Sequence, residues 1–214
     1  MKCCLWILLL GLGLTACNND NKDQQETVEK PDLAPGLALG TYIVSVETDQ
    51  ELPMVGKYYS GGDGGKLLVL DDEQDRAKIV MHYDVQSKSW QSNQADKNFK
   101  VQFAHYEKIA DQKLNLNQLM GTYTLSFADG SMIPVEVKAQ GQIISKDQNC
   151  MFSGVMSESL LANTATYQLT DNKCEAMKNN VKGYVVMDQD LEPAGFRLLS
   201  DTVGSKDIWA FAES

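Results

Sequence analysis

The segment Gly61-Gly62-Asp63-Gly64-Gly65-Lys66 has the composition of a phosphate-cradling loop. Such a loop turns backbone N–H groups onto an anion, sets a lysine on the terminal phosphates and offers a hydroxyl to magnesium. Here the spacing is too short, Leu67 stands where the hydroxyl is needed, and Asp63 would repel phosphate. An extended pattern follows, not a helix whose N-terminus could hold an anion. The segment therefore reads as a mobile hairpin tip. Asp71-Asp72-Glu73-Gln74-Asp75 gathers the hard oxygens that calcium requires, but it lacks the spacing and central glycine of an EF-hand loop. A charged turn between two strands accounts for it. The imidazoles are His82 and His105. Alternation puts His82 on the polar face of its strand and His105 in line with an apolar face. The expectation is one surface and one packed histidine, with no bound metal. Gly-x-Ser-x-Gly, Ser-x-x-Lys and His-Glu-x-x-His are all absent.

The N-terminus carries a different kind of chemistry. Lys2 precedes an apolar run from Cys3 to Leu14, the charged and hydrophobic regions of an export signal. The run is shorter than the roughly 20 apolar residues of a membrane-spanning helix, and polar sequence follows at once. Leu14-Thr15-Ala16-Cys17 closes it: an aliphatic residue, two small ones and a cysteine. This segment resembles the lipobox of bacterial lipoprotein precursors, a resemblance confined to residues 1–17. It implies cleavage after Ala16, a diacylglyceryl group on Cys17 and acylation of the new amine. Each buried methylene then contributes about 0.8 kcal/mol, so the chain is held at a membrane without a protein span. In such families an aspartate after the lipidated cysteine favours retention at the inner membrane. Asn18 stands there, and the resemblance leans towards the outer membrane of the cell envelope.

On the same resemblance Cys3 and Cys4 leave with the signal and Cys17 takes lipid. Cys150 and Cys174 then remain in an oxidising compartment, where one disulfide is expected. The alternative is a two-cysteine metal site, but neither histidine is near in sequence and there is no Cys-x-x-Cys.

Removing residues 1–16 takes away one lysine and no acid, leaving 18 basic against 29 acidic residues and a net charge of −11. Polyanions do not favour nucleic acid, whose binding draws on counterion release from phosphates. Nor do they adsorb to anionic lipid. Acidity of this degree keeps an exported protein soluble; a basic partner or a cation is the sharper alternative.

The elements that would carry these residues are strands. Residues 17–36 form a lipidated N-terminus and a polar tether, too poor in apolar residues to fold. From Leu37 onward alternation of period two prevails over Thr41–Glu47, Lys66–Leu70, Arg76–Asp84 and Phe99–Tyr106. A second series runs through Thr122–Phe127, Ile133–Ala139, Gln142–Lys146, Cys150–Met156, Ala165–Leu169, Gly183–Met187, Phe196–Leu199 and Ile208–Ala212. These series predict an all-β protein of small antiparallel barrel or sandwich units. The units are residues 37–113 and, with the disulfide, 114–214, although one larger β domain is the alternative. Gly40-Thr41-Tyr42 is echoed by Gly121-Thr122-Tyr123, in weak support of two units. Ile208 to Ala212 is apolar on both faces, so that strand should be buried on both sides or close a barrel.

These features favour a lipid-anchored envelope protein that binds or scaffolds without catalysis and without a cofactor. Its partners would be the membrane, through lipid on Cys17, and an envelope protein or surface polymer met at an exposed edge strand. One alternative is a barrel that carries a small apolar ligand. Another is a two-carboxylate hydrolase of envelope material, because an acid pair needs no sequence motif. Mass spectrometry of the membrane fraction is expected to find an N-terminal peptide that begins at acylated Cys17. An unmodified, soluble protein would refute the lipobox reading.

Overall fold

The computed structural model describes residues 36–47, 52–94, 102–111 and 114–213. The expected export signal, Cys17 and the expected tether up to residue 35 lie outside the described residues, as do Phe99 to Val101 and Lys113. Six antiparallel strands form an open sheet: β1 (Gly40–Glu47), β2 (Met54–Ser60), β3 (Lys66–Asp71), β4 (Ala77–Asp84), β5 (Ser89–Ser92) and β6 (Gln102–Ile109). Their order is β5-β4-β3-β2-β1-β6. Eight more strands close a barrel: β7 (Gly121–Phe127), β8 (Met132–Val137), β9 (Gln142–Ser145), β10 (Phe152–Glu158), β11 (Thr164–Asn172), β12 (Lys182–Val186), β13 (Ala194–Leu199) and β14 (Ile208–Ala212). Each barrel strand pairs antiparallel with the next, and β14 returns to β7. The fold is all-β, as the alternation predicts. Of the two architectures expected for the units, the second series forms a barrel, and the first forms a sheet that stays open.

The barrel follows from strict alternation. Tyr123, Leu125 and Phe127 of β7 point inward, as do Ile133, Val135 and Val137 of β8 and Ala165, Tyr167 and Leu169 of β11. An eight-stranded barrel either fills with its own side chains or encloses one small ligand. Here Phe196, Met156 and Ile143 help fill it. Leu119 and Met177 join the same core from one-turn 3-10 segments outside the strands.

The sheet is apolar on both faces. Tyr42, Val44, Val46, Tyr58, Leu68, Leu70, Ile79 and Met81 form one cluster, against which Trp90 of β5 and Phe103 of β6 pack from the two edge strands. Tyr59, Leu67, Val69 and Val80 face the other way, onto Leu161, Val186, Leu191, Ala194 and Leu199 of the barrel. A strand covered on both sides loses period-two alternation and reads as a continuous apolar run. That explains Lys66–Asp71. It also explains why β2, where Tyr58 faces one cluster and Tyr59 the other, carries no alternating signal. At Gly56 the β2 and β3 backbones approach so closely that a β-carbon would lie 2.0 Å from the Val69 carbonyl oxygen. Ile208–Ala212 meets both expectations at once. Ile208 and Ala210 point into the barrel, β14 is its closing strand, and Trp209 and Phe211 point out against the sheet.

The echoed Gly-Thr-Tyr has a local cause. Gly40 and Gly121 open the first strands of sheet and barrel with φ of 142° and 152°, conformations that side chains rarely adopt. Tyr42 and Tyr123 then turn onto the sheet cluster and the barrel core respectively.

Cys150 and Cys174 are buried and form a disulfide 24 residues apart in sequence. They flank β10 and β11, so the bridge ties the open end of that hairpin where Phe152 pairs with Asn172. Closing a loop of this size contributes about 3 kcal/mol in the chain-entropy model. The Cys150→Ser/Cys174→Ser double variant is expected to lose about that much in urea unfolding, and non-reducing peptide mapping of the parent should recover one linked pair.

Candidate functional site

The charged residues that sequence spacing leaves scattered are gathered where sheet meets barrel. Arg197 lies in the apolar strand β13 with 6% of its side chain exposed. Its Nη2 donates to Asp71 Oδ1 of β3 at 2.9 Å and to Asp207 Oδ2 at 3.1 Å. Its guanidinium lies 4.9 Å from the Trp209 ring centre, and Trp209 Nε1 donates to Asp207 at 2.8 Å. Asp207 also accepts the Ala77 backbone N–H from β4. Burial by itself would lower the Arg197 pKa, but the two carboxylates outweigh it and raise it. Asp71 is pushed up by burial against the pull of Arg197.

A second polar group lies beside it. Asp188, almost wholly buried, accepts from Lys57 Nζ at 2.8 Å, Tyr59 Oη at 2.7 Å and Asn163 Nδ2 at 3.2 Å. Burial first, then the neighbouring Asp188 charge, raises the Tyr59 pKa well above its ordinary value. Both groups pair charge with charge across the junction: with Arg76 3.9 Å from Asp207, two arginines face two carboxylates in the first, and in the second Lys57 serves both Asp188 and Asp190.

The two loops singled out in the sequence are occupied with their own backbone. In Gly61–Gly65 the Gly61 N–H donates to the Gly65 carbonyl, and the Asp63 carboxylate accepts the Gly65 N–H at 2.9 Å. The loop is seated on the barrel: a β-carbon on Gly61 would lie 2.9 Å from Leu161 Cδ2. In the β3–β4 turn, Asp72 accepts the N–H groups of Gln74 and Arg76, while Asp71 turns away to Arg197. Asp71 and Asp72 are therefore held by different partners.

The histidines exchange the places expected of them. His82 is not a free surface residue. It lies on the sheet face that covers the barrel, with Nδ1 2.7 Å from Asp201 Oδ2, an ion pair whenever the imidazole carries its proton. His105 is exposed. Between Ser45 and Val46 the β1–β6 register skips Ala104, so Phe103 packs on the core, half-exposed Tyr106 lies on the same side against Tyr42, and His105 faces out. A single extra residue reverses the side of everything after it. Three strands separate β4 from β6, so the two imidazoles belong to different parts of the sheet.

His82 and Asp201 form one wall of an open cleft of about 290 Å³. Its floor is the outer wall of the barrel. Cross-strand pairing sets Ser157, Thr166 and Tyr184 in one row and Val155, Gln168 and Lys182 in the next. The ring centres of His82 and Tyr184 are 5.9 Å apart. Burial pushes the Tyr184 pKa up to about 12, with Asp201, Asp63 and Asp84 adding to the shift. The phenol therefore keeps its proton and can donate. Burial would raise the Asp201 pKa, but the hydrogen bond and charge of His82 hold it below the ordinary value.

None of these groupings was visible in sequence spacing, because Arg197 and Asp71 are 126 residues apart. The one available signal was an arginine alone inside Phe196–Leu199. Compared with protein-family models, curated proteins and solved structures, the chain matches none.

Two measurements check this site. Arg197→Ala leaves Asp71 and Asp207 buried without their counter-ion and is expected to cost about 3–5 kcal/mol in urea unfolding. Adding Asp71→Asn should recover part of that loss. Asp201 has a depressed folded-state pKa, so its stabilisation is present above the unfolded carboxylate pKa, about 4, and is lost as pH falls through the folded value. Asp201→Asn should therefore be less stable than the parent at pH 6, and the gap should shrink towards pH 2.

Proposed function

We propose that this chain is an envelope lipoprotein, held at the membrane by lipid on Cys17, whose sheet and barrel together form a rigid binding module without catalytic turnover. The anchoring rests on the lipobox-like Leu14–Cys17 segment, and Asn18 favours the outer membrane. The observation that carries the binding reading is the contrast between inside and outside of the barrel. The interior is occupied by its own side chains, including Phe127, Met156, Tyr167 and Phe196. The polar cleft of His82, Asp201 and the β10–β12 wall lies open on the outside. A carrier of apolar ligands needs an internal cavity lined by apolar groups, and the filled core supports that reading less well. The charged groups at the junction hold one another in fixed ion-pair and hydrogen-bond networks, an arrangement suited to holding sheet and barrel together rather than to moving protons. The partner is an envelope protein or a surface polymer.

Crosslinking the lipidated protein in its own envelope, followed by identification of the attached species, is expected to yield a specific partner. Substitutions in the cleft should reduce that yield while leaving circular dichroism unchanged. The outcome that would end this reading is turnover of an envelope glycan, peptide or lipid by the purified mature protein, abolished by one acid-to-amide change that spares the fold.

A further inference from the structure

We infer that the cleft between β4 and the outer wall of β10–β12 is a binding site for a neutral, hydroxyl-rich saccharide segment, a specificity that rests on the binding-module reading above. Three features of the cleft select that chemistry.

The first is charge. Lys182 and Asp201 oppose one another in the lining, and Lys182 helps to hold the Asp201 charge. Asp84 and Asp63 stand near His82 and Tyr184 respectively. Within the lining Lys182 and Asp201 offset one another, and the two further aspartates nearby disfavour phosphate and make a polyamine the sharper charged comparison.

The second is hydrogen-bonding capacity. Ser157, Thr166 and Gln168 each present both donor and acceptor capacity from adjacent strands. Tyr184 adds a protonated phenol. His82, with Nδ1 2.7 Å from Asp201, lines the same cleft. A sugar hydroxyl both donates and accepts, so a mixed array of this kind satisfies it where a set of donors alone would not.

The third is shape. The floor is three strands wide, about 10 Å at the usual strand spacing, and two rows of side chains deep. It is fixed by barrel hydrogen bonds, so little ordering accompanies binding. Val155 and the Tyr184 ring supply apolar surface for the C–H face of a sugar ring. The cleft is open to solvent, as a site for a segment within a longer polymer must be.

The test is titration of the isotope-labelled mature chain with cellotetraose and with N,N′-diacetylchitobiose, followed by amide chemical shifts. Inorganic phosphate and spermine serve as charged comparisons. The expected result is saturable shifts from at least one sugar, centred on β10–β12 and on residues near His82 and Asp201. Gln168→Leu, at an exposed position, should weaken that binding about 3- to 10-fold, the loss of one hydrogen bond. Tyr184→Phe keeps the ring packing and should weaken it similarly. The inference is overturned if neither sugar shifts these strands, if phosphate or spermine binds there in their place, or if both variants bind as the parent does. Any of these would leave the crosslinking result intact, so failure here is distinguishable from failure of the binding-module reading.

Discussion

Arg197 is the constraint on which the arrangement of the molecule turns. A guanidinium buried in an apolar strand is tolerable only with its counter-ions in place, because an unpaired buried charge costs several kcal/mol. Its counter-ions come from different directions. Asp207 precedes the closing strand of the barrel, and Asp71 ends a strand of the sheet. The barrel alone would leave Arg197 half satisfied. The apolar contacts of Tyr59, Leu67 and Val69 with Leu161, Val186 and Leu199 supply area. Their lack of direction would permit several ways of sliding the sheet over the barrel wall. The Arg197 fork, Asp188 with its three donors, and the His82–Asp201 pair define one way.

The cleft depends on that choice. Its floor belongs to the barrel and one of its walls to the sheet, so it exists only while the two are docked in this register. Asp201 holds His82 at the boundary, where the covered part of the barrel wall gives way to the open part. Thr164 and Val186, one pair nearer the sheet, are buried. Thr166 and Tyr184, the next pair, line the cleft.

How much of this could be read from residue order varies with the kind of interaction. Barrel strands with one face in the core and one towards water show alternation, and seven of the eight that form the barrel have clear counterparts in Thr122–Leu199, with Ile208–Ala212 completing it. The sheet was harder. β2 is apolar on both sides and β5 is only four residues long, so neither offers a period to detect. The side chosen by His105 depends on a bulge at Ala104, which is set by pairing with β1 and leaves no trace in composition. The cleft was illegible because its members come from β4, β10, β11, β12 and the segment after β13. No one of them is unusual where it stands. The cysteine pairing was legible because the lipobox-like segment, if processed, accounts for the other three cysteines and leaves only Cys150 and Cys174, an argument that needs no geometry.

The order of strands around the barrel bears on how the chain assembles. Every neighbouring pair from β7 to β14 is also consecutive in sequence, with one exception, the seam between β14 and β7. Hairpins can form early because their loops are short, whereas the seam must wait for the ends of a long segment to meet. Asp207 and Trp209 sit at that seam strand. Asp207 reaches Arg197 through the β13–β14 hairpin, in which Arg197 pairs with Trp209, so that half of the fork is local, whereas Asp71, 126 residues away, arrives only when the sheet docks. A chain interrupted before Ile208 would keep the Asp71, Asp188 and Asp201 contacts between sheet and barrel but would lack the strand that closes the barrel against β7.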